Sequence, residues 1–233
     1  MKTLIIIPIL LFSLFLGLPS YSSDFDKGLT AYKNGDYATA LKEWKPLAEE
    51  GNAVAQNNLG LMYHNGWGVP HDYKEAVYWY RLAVEQGYAI AQYNLGLMYE
   101  KGKGVPQDYK EAARLYRLAA EQGDVDAQYN LGVMYERGNG VPQDYKEAVY
   151  WYRLSAEQGY ANAQSNLANR YYYGEGVNKD IVYAHMWKNI SASNGRDKSR
   201  EELKTIEKKM TTSDISEAQR LARECVKKNY KGC

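Results

Sequence analysis

The chain has almost no cysteine: two among its 233 residues, Cys225 and Cys233, both near the end. That excludes a disulfide framework, and a C-x-x-C metal or redox site, everywhere before Cys225. Histidine is nearly as scarce. His64, His71 and His185 lack metal-ligand spacing and are expected in polar surface or helix-end roles, so neither a metal nor any other cofactor is expected. Neither sign of charge is in excess, since 29 Lys+Arg against 28 Asp+Glu leave a net charge of +1. There is therefore no overall electrostatic footprint for a nucleic acid. The basic pairs Lys208-Lys209 and Lys227-Lys228 are interleaved with Glu201, Glu202, Glu207 and Glu224 and read as a solvated helical face. The motifs G-x-S-x-G, S-x-x-K, K-T-G, H-E-x-x-H and the phosphate-binding loop are all missing. No serine–lysine or other catalytic pairing is expected.

Beyond Leu18 there is no long apolar run, which leaves nothing to span a membrane as a helix. The apolar run that exists, Leu4–Leu18, follows a single Lys and is closed by Pro19 and Ser20-Tyr21-Ser22. Those features mark residues 1–22 as a cleaved secretory signal with Ser23 the first mature residue. No cysteine follows the run, so no lipid anchor is expected.

What the chain has in quantity is repetition. Ala91–Asp126 recurs as Ala127–Asn162 with 26 of 36 positions identical. The same period holds backward to Ala55–Ile90 and, more worn, forward through 163–198. A fixed period of this length marks stacked structural units. Within one unit, Ala91, Leu95 and Tyr99 recur at helical spacing. Gly96 sits inside that helix, where glycine costs about 1 kcal/mol against alanine, and it returns as Gly60 and Gly132. A cost repeated in this way implies close approach of a second helix. Gly102-Lys103-Gly104-Val105-Pro106 stops the first helix. Asp108 then caps the second, with Glu111 at capping-box spacing. Ala112, Tyr116 and Ala119 form its apolar stripe, and Gly123 ends it. Each unit is an antiparallel helix pair that cannot bury both faces alone and must stack on its neighbours.

The residues A-Q-x-N-L-G-x-M-Y-x-x-G-x-G-V-P-x-D-Y-x-x-A-x-x-x-Y-x-x-A-A-x-x-G at Ala91–Gly123 resemble the Sel1-like repeat family, a relative of the tetratricopeptide repeats. The flanking copies depart from this pattern only at Val84 and Ser155. The resemblance implies an all-α fold, a right-handed α/α solenoid. Residues 23–54 read as an incomplete, tetratricopeptide-like capping repeat, whose turn Lys33-Asn34-Gly35 is about five residues shorter than the later loops. Full repeats follow at 55–90, 91–126 and 127–162, then a divergent one at 163–198, where Ala168, Asn178 and Ile181 break the pattern. Residues 199–233 read as a C-terminal helical cap. Leu203, Ile206 and Met210 lie on one of its helices. Thr211 and Asp214 cap the other, which has Ala218, Leu221, Ala222 and Cys225 on its stripe. In an oxidising compartment Cys225 and Cys233 pair, with Asn229–Gly232 folding back between them.

The resemblance also places the function on the inner face, which such arrays use to bind extended partners. Alignment on the helix glycine puts Asn57, Leu61, His64 and Asn65 there, then Tyr93, Leu97, Glu100 and Lys101. The next two repeats contribute Tyr129, Val133, Glu136 and Arg137, and Ser165, Asn169, Tyr172 and Tyr173. Several of these differ between repeats while the core positions stay fixed. Trp67, on a loop tip, is a second candidate contact. Tyr93→Ala and Lys101→Glu are expected to spare stability and weaken binding. The reading is an exported adaptor, periplasmic or secreted, that binds a protein or peptide and neither binds nucleic acid nor spans a membrane once the signal is removed. A different class, a cell-wall enzyme like the weak β-lactamases among cysteine-rich relatives, is the alternative.

Mass spectrometry of the protein recovered from its native compartment should give an N-terminus at or near Ser23. An intact Met1 on soluble protein would overturn export by a cleaved signal.

Overall fold

The computed structural model describes residues 20–233, with side chains from Asp24 onward. The signal expected over 1–22 lies outside the described residues except for its last three, which open the first helix. The described residues form twelve helices: α1 Ser20–Lys33, α2 Tyr37–Glu49, α3 Ala53–Asn65, α4 Tyr73–Glu85, α5 Ala89–Lys101, α6 Tyr109–Glu121, α7 Val125–Arg137, α8 Tyr145–Ala156, α9 Ala161–Tyr173, α10 Ile181–Ser193, α11 Asp197–Glu207 and α12 Thr212–Lys227. They pack in chain order, α1 on α2 through α9 on α10, and each second helix also packs on the first helix of the next pair. The result is an α/α solenoid of helix pairs, as the repetition requires. No described helix is long and apolar enough to cross a membrane.

Local chemistry sets the helix ends. Asp72, Asp108, Asp144 and Asp180 each accept from backbone N–H groups two and three residues on, which satisfies donors that a helix start otherwise leaves free. The reciprocal half of the expected capping box is absent at Asp108, where the Glu111 carboxylate pairs with Arg114 at 2.6 and 2.8 Å. A full capping box forms at Thr211 and Asp214.

The two helices of a pair meet at the glycine. A methyl group at Gly96 would lie 2.8 Å from the Tyr116 ring, and the same holds for Gly60 against Tyr80 and Gly132 against Tyr152, at 2.5 and 2.7 Å. These three tyrosines are fully buried, Tyr80 in one core cluster with Leu95 and Met98 and Tyr116 in another with Ala112 and Leu131. The most N-terminal pair makes the same contact with Gly28 and Trp44, sixteen residues apart instead of twenty. Its turn is therefore shorter by four residues, not five, and it is a complete helix pair.

The loops bind pairs to one another. Gly140 has φ +70°, and a Cβ there would come within 2.1 Å of the Tyr109 carbonyl oxygen of the preceding repeat. A Cβ at Gly68, Gly104 or Gly176 would make the same approach to the Tyr37, Tyr73 and Tyr145 carbonyls, at 2.8, 2.3 and 2.2 Å. The second loop glycine is thus a seat for the neighbouring helix as well as a turn. A polar ladder does the rest. Buried Gln128 donates to the Ala120 carbonyl of the previous repeat at 3.1 Å and accepts from Gln158 of its own at 2.9 Å. Gln56 and Gln164 make the same pair of links, with Gln86 and Asn194 as donors. Gln122 donates to Gln92 in the same way. Arg81, Arg117 and Arg153 each reach forward to a tyrosine hydroxyl of the next repeat, Tyr99, Tyr135 and Tyr171.

At the C-terminal end, α11 and α12 both pack on α10. Ala218, Ala222 and Cys225 of α12 are buried, as their stripe requires. A disulfide joins Cys225 to Cys233, and Tyr230 between them donates to Asn194 Oδ1 at 3.1 Å.

Gly96→Leu should lower the unfolding free energy by roughly 1–3 kcal/mol or more through overpacking. Gly123→Ala, at φ +94° with nothing within 4 Å, should cost only the left-handed backbone penalty of about 1 kcal/mol. Urea titrations of both variants check the contrast, and equal losses would contradict the contact.

Candidate functional site

The residues expected on the inner face fall on α3, α5, α7 and α9. The middle of that face is an apolar floor, where Tyr93 and Leu97 of α5 and Tyr129 and Val133 of α7 are half-buried against the core. The Tyr93 ring lies 5.8 Å from Tyr116, and Tyr129 lies 5.9 Å from Tyr152 and 5.2 Å from Tyr160. Beside this floor Glu100 and Glu136 accept from the buried Tyr116 and Tyr152 hydroxyls at 2.5 and 2.6 Å. Burial, reinforced by the adjacent carboxylate, drives both phenols far above their ordinary range, so they stay donors. Lys101 and Arg137 are exposed next to the glutamates, and Asn65 and Tyr173 are exposed at the corresponding positions of the outer repeats.

Not every expected position faces outward. Asn57 is 3% exposed and accepts from Asn94 at 2.9 Å, and Ser165 is 0% exposed. Both belong to the interior, because small side chains stand where Tyr93 and Tyr129 fill the two middle repeats. Tyr93 is also not a plain surface residue. It packs half-buried against the core, 5.8 Å from the Tyr116 ring, and burial pushes its hydroxyl up to about 12, so Tyr93→Ala should remove packing and lower the melting temperature, where the sequence alone leads to the opposite expectation. Trp67 is half-buried and stacks on Tyr37 at 5.4 Å, with Tyr32 at 5.6 Å. It joins the most N-terminal pair to the next and is not a free contact.

The two ends of the face differ from its middle. On α3, His64 stands where Glu100 and Glu136 stand, and the buried Tyr80 hydroxyl has no acceptor among the described residues. Burial first, then Lys103, His71 and Lys101, lower the His64 pKa. On α10, Lys188 replaces the tyrosine of Tyr80, Tyr116 and Tyr152, and Ala168 replaces the opposing glycine. The Lys188 ammonium is 1% exposed. It donates to Ser165 Oγ at 2.8 Å, the Ser165 carbonyl at 3.2 Å, Asn169 Oδ1 at 2.9 Å and Glu202 Oε2 of α11 at 2.8 Å. A serine and a lysine 23 residues apart are thus paired, which the motif search did not anticipate. Ser165 Oγ is sealed from solvent and cannot meet a substrate carbonyl in this arrangement. Asn169, Tyr172, Tyr173, Lys188 and Glu202 line a cleft of about 260 Å³ beside it. His185, expected at the surface, is 1% exposed and lies 3.0 Å from Glu207. The Lys188–Glu202 ion pair and the His185–Glu207 hydrogen bond therefore anchor α11, whose buried residues are only Ser199 and Ile206.

The column Tyr80, Tyr116, Tyr152, Lys188 carried the signal for this cluster, since a lysine in a buried tyrosine's place must find acceptors. Burial alone would raise the Glu202 carboxyl, but the Lys188 ammonium and then Arg196 outweigh it and hold it below the usual range. Burial lowers Lys188, with Glu202 opposing.

The family model described as Sel1 repeat matches four consecutive segments, 53–88, 89–124, 125–160 and 161–195. These begin where the first helix of each pair begins, two residues ahead of the segments drawn from the sequence. Among solved structures the chain is similar to a protective antigen of uropathogenic Escherichia coli with an SLR fold. That identity is 36% with a TM-score of 0.78, over 90% of this chain and 46% of that one, so this chain spans less than half its length. It is similar to a Sel1 repeat protein from Oxalobacter formigenes at 34% identity and a TM-score of 0.74, over 86% of this chain and 83% of that one. An immunity protein from Pseudomonas aeruginosa shares the fold at 20% identity and a TM-score of 0.51, over 91% of this chain and 81% of that one. No curated protein matches.

Because the Glu202 pKa is depressed in the folded state, its contribution is present above about pH 4.5 and is lost as the pH falls below it. Glu202→Gln should cost about 2 kcal/mol at pH 7, less than a fully buried pair because Glu202 is 28% exposed. The variant should also show a shallower loss of stability than the wild type between neutral and acid pH. Denaturant midpoints across that range are the measurement, and parallel curves would remove Glu202 from the anchor.

Proposed function

This chain belongs to the Sel1 repeat family, whose members generally bind proteins, and we propose that it is an exported, non-catalytic adaptor that holds a protein or peptide on its inner face. The observation that carries this reading is the floor of Tyr93, Leu97, Tyr129 and Val133. These side chains are half-exposed, pack against one core cluster from two successive repeats, and have charged groups beside them. An apolar centre with a polar rim is how protein interfaces are built, and aromatic anchors of this kind dominate their energetics. The scaffold beneath is fixed by the glycine–tyrosine contacts and the glutamine ladder, so the floor is preorganised and little entropy is lost on binding.

The leader read from residues 1–22 supports export. The likeness to a protein that is a protective antigen in uropathogenic Escherichia coli supports a role at the envelope or in contact with a host. The hydrolase alternative rests on the pairing of Ser165 with Lys188. Ser165 is closed to solvent and Lys188 is spent on Glu202 and Asn169, which favours a structural role for both.

The test is chemical crosslinking in the native envelope with the mature protein as bait. A protein captured by the wild type should be lost with Leu97→Asp and Val133→Asp. Both positions are half-exposed, so each change should cost only about 1 kcal/mol of stability. Capture unaffected by both would move the binding site elsewhere. Turnover of nitrocefin that disappears in Ser165→Ala would establish the hydrolase reading instead.

A further inference from the structure

Each second helix from α2 to α8 opens with a tyrosine whose carbonyl seats the loop glycine of the next repeat: Tyr37, Tyr73, Tyr109 and Tyr145. Three of the four rings are covered. Trp67 stacks on Tyr37 at 5.4 Å, the Lys103 ammonium lies 4.8 Å from the Tyr73 centroid, and the Arg170 guanidinium lies 5.3 Å from that of Tyr145. Nothing comparable covers Tyr109 among the described residues. It is 39% exposed, while the other three are half-buried. The loop-tip position of Trp67 and Lys103 is Asn139 here, and the position of Arg170 is Met134, which is buried in the core.

The next junction shows what the uncovered one is shaped to hold. Arg170 lies over Tyr145 and reaches Glu136 Oε1 at 3.6 Å and Glu175 Oε2 at 2.6 Å. The frame around the ring is the same in both places. Gln143 donates to the Glu136 carbonyl at 2.8 Å and the Tyr145 hydroxyl at 3.2 Å, and Gln107 donates to the Glu100 carbonyl at 2.7 Å and the Tyr109 hydroxyl at 3.0 Å. Glu100 corresponds to Glu136. One of its oxygens accepts from Tyr116, and no basic group, exposed Lys101 included, pairs with it within 4.0 Å among the described residues. An aromatic face beside a half-buried carboxylate is complementary to a guanidinium, which stacks and pairs at once.

We propose that the Glu100–Tyr109 site receives an arginine side chain from the bound protein, taking the place that Arg170 fills one repeat further on. The assignment rests on the reading of the array as a protein binder and adds what that partner must present. It sets the occupied inner face next to the loop edge, so the partner's arginine lies at the margin of the apolar floor.

The probe is acetyl-arginine-amide, titrated into isotope-labelled protein and followed by NMR, with acetyl-citrulline-amide as the uncharged control. The expected result is saturable shifts at the Gln107 side-chain amide and the Tyr109 ring with the arginine probe and none with citrulline. Tyr109→Ala and Glu100→Gln should each weaken binding by about fivefold or more. Glu100→Gln keeps an acceptor for Tyr116, so it remains informative if Tyr109→Ala disturbs the helix start. The pair Met134→Arg with Asn139→Glu writes the fourth repeat's residues into the third and should block the probe while the thermal melt stays cooperative. Citrulline binding as tightly as arginine would overturn the proposal, as would shifts unchanged by Glu100→Gln. A partner still captured in full by the Met134→Arg, Asn139→Glu variant would overturn it while leaving the adaptor reading intact. Loss of capture with Leu97→Asp tests that reading separately.

Discussion

The approach of Tyr116 to Gly96, with its copies at Gly60 and Gly132, is the contact on which the rest depends. It sets the distance between the two helices of a pair. Any side chain at the glycine would drive the ring out, and with it the hydroxyl that Glu100 or Glu136 uses on the inner face. The phenol therefore spans the pair: its ring packs on the glycine and its buried hydroxyl holds the glutamate of the inner face. The fourth repeat shows the coupling from the other side. Where Ala168 takes the glycine's place, the tyrosine gives way to the slimmer Lys188, and the inner face there becomes an ionic cluster instead of a phenol–carboxylate pair.

Between pairs the constraint passes to polar groups. The Gln56, Gln92, Gln128 and Gln164 column is buried, and each amide that is paired on both sides joins helices of two repeats. A buried amide is costly unless satisfied, so the column fixes the stacking angle as well as adding to cohesion. The loop glycines seated on Tyr37, Tyr73, Tyr109 and Tyr145 act at the opposite edge. Together they hold the inner face in one shape, which is the condition for a preorganised floor. The last turn, between α11 and α12, lacks the Gly-x-Gly loop, and there the regular pairing ends, with both helices resting on α10.

Much of this was legible in the sequence because repetition exposes cost. Gly96 is unfavourable in a helix, and three copies of it mark a contact. The Asp108 cap, the Thr211–Asp214 box and the buried stripe of α12 followed from local rules that tertiary packing did not override. The glutamines were visible in the motif but carried no sign of their partners, which lie 30 residues on or in the previous repeat. Alignment on the helix glycine puts Asn57 and Ser165 on the inner face, and polarity puts His185 at a surface or helix end, yet all three are buried. Each finds a polar partner on another helix: Asn94 for Asn57, Lys188 for Ser165 and Glu207 for His185. Trp67 reads as a contact from its place on a loop tip, but a loop tip does not separate a partner-facing ring from one that stacks on the preceding repeat, as Trp67 does on Tyr37. The Ser165–Lys188 pairing crosses 23 residues and two helices, beyond any short motif.

The 36-residue period has a consequence for how such a chain changes over generations. Every contact described is made either within one unit or between a unit and its immediate neighbour, and each unit carries one half of every junction. Duplicating one unit in the gene therefore inserts a complete cassette whose front matches the old back, and deleting one closes the gap in the same way. Lengthening by this route extends the inner face by one helix width at a time while every older junction stays as it was, and the new copy is then free to acquire its own substitutions at the few positions that the core does not hold.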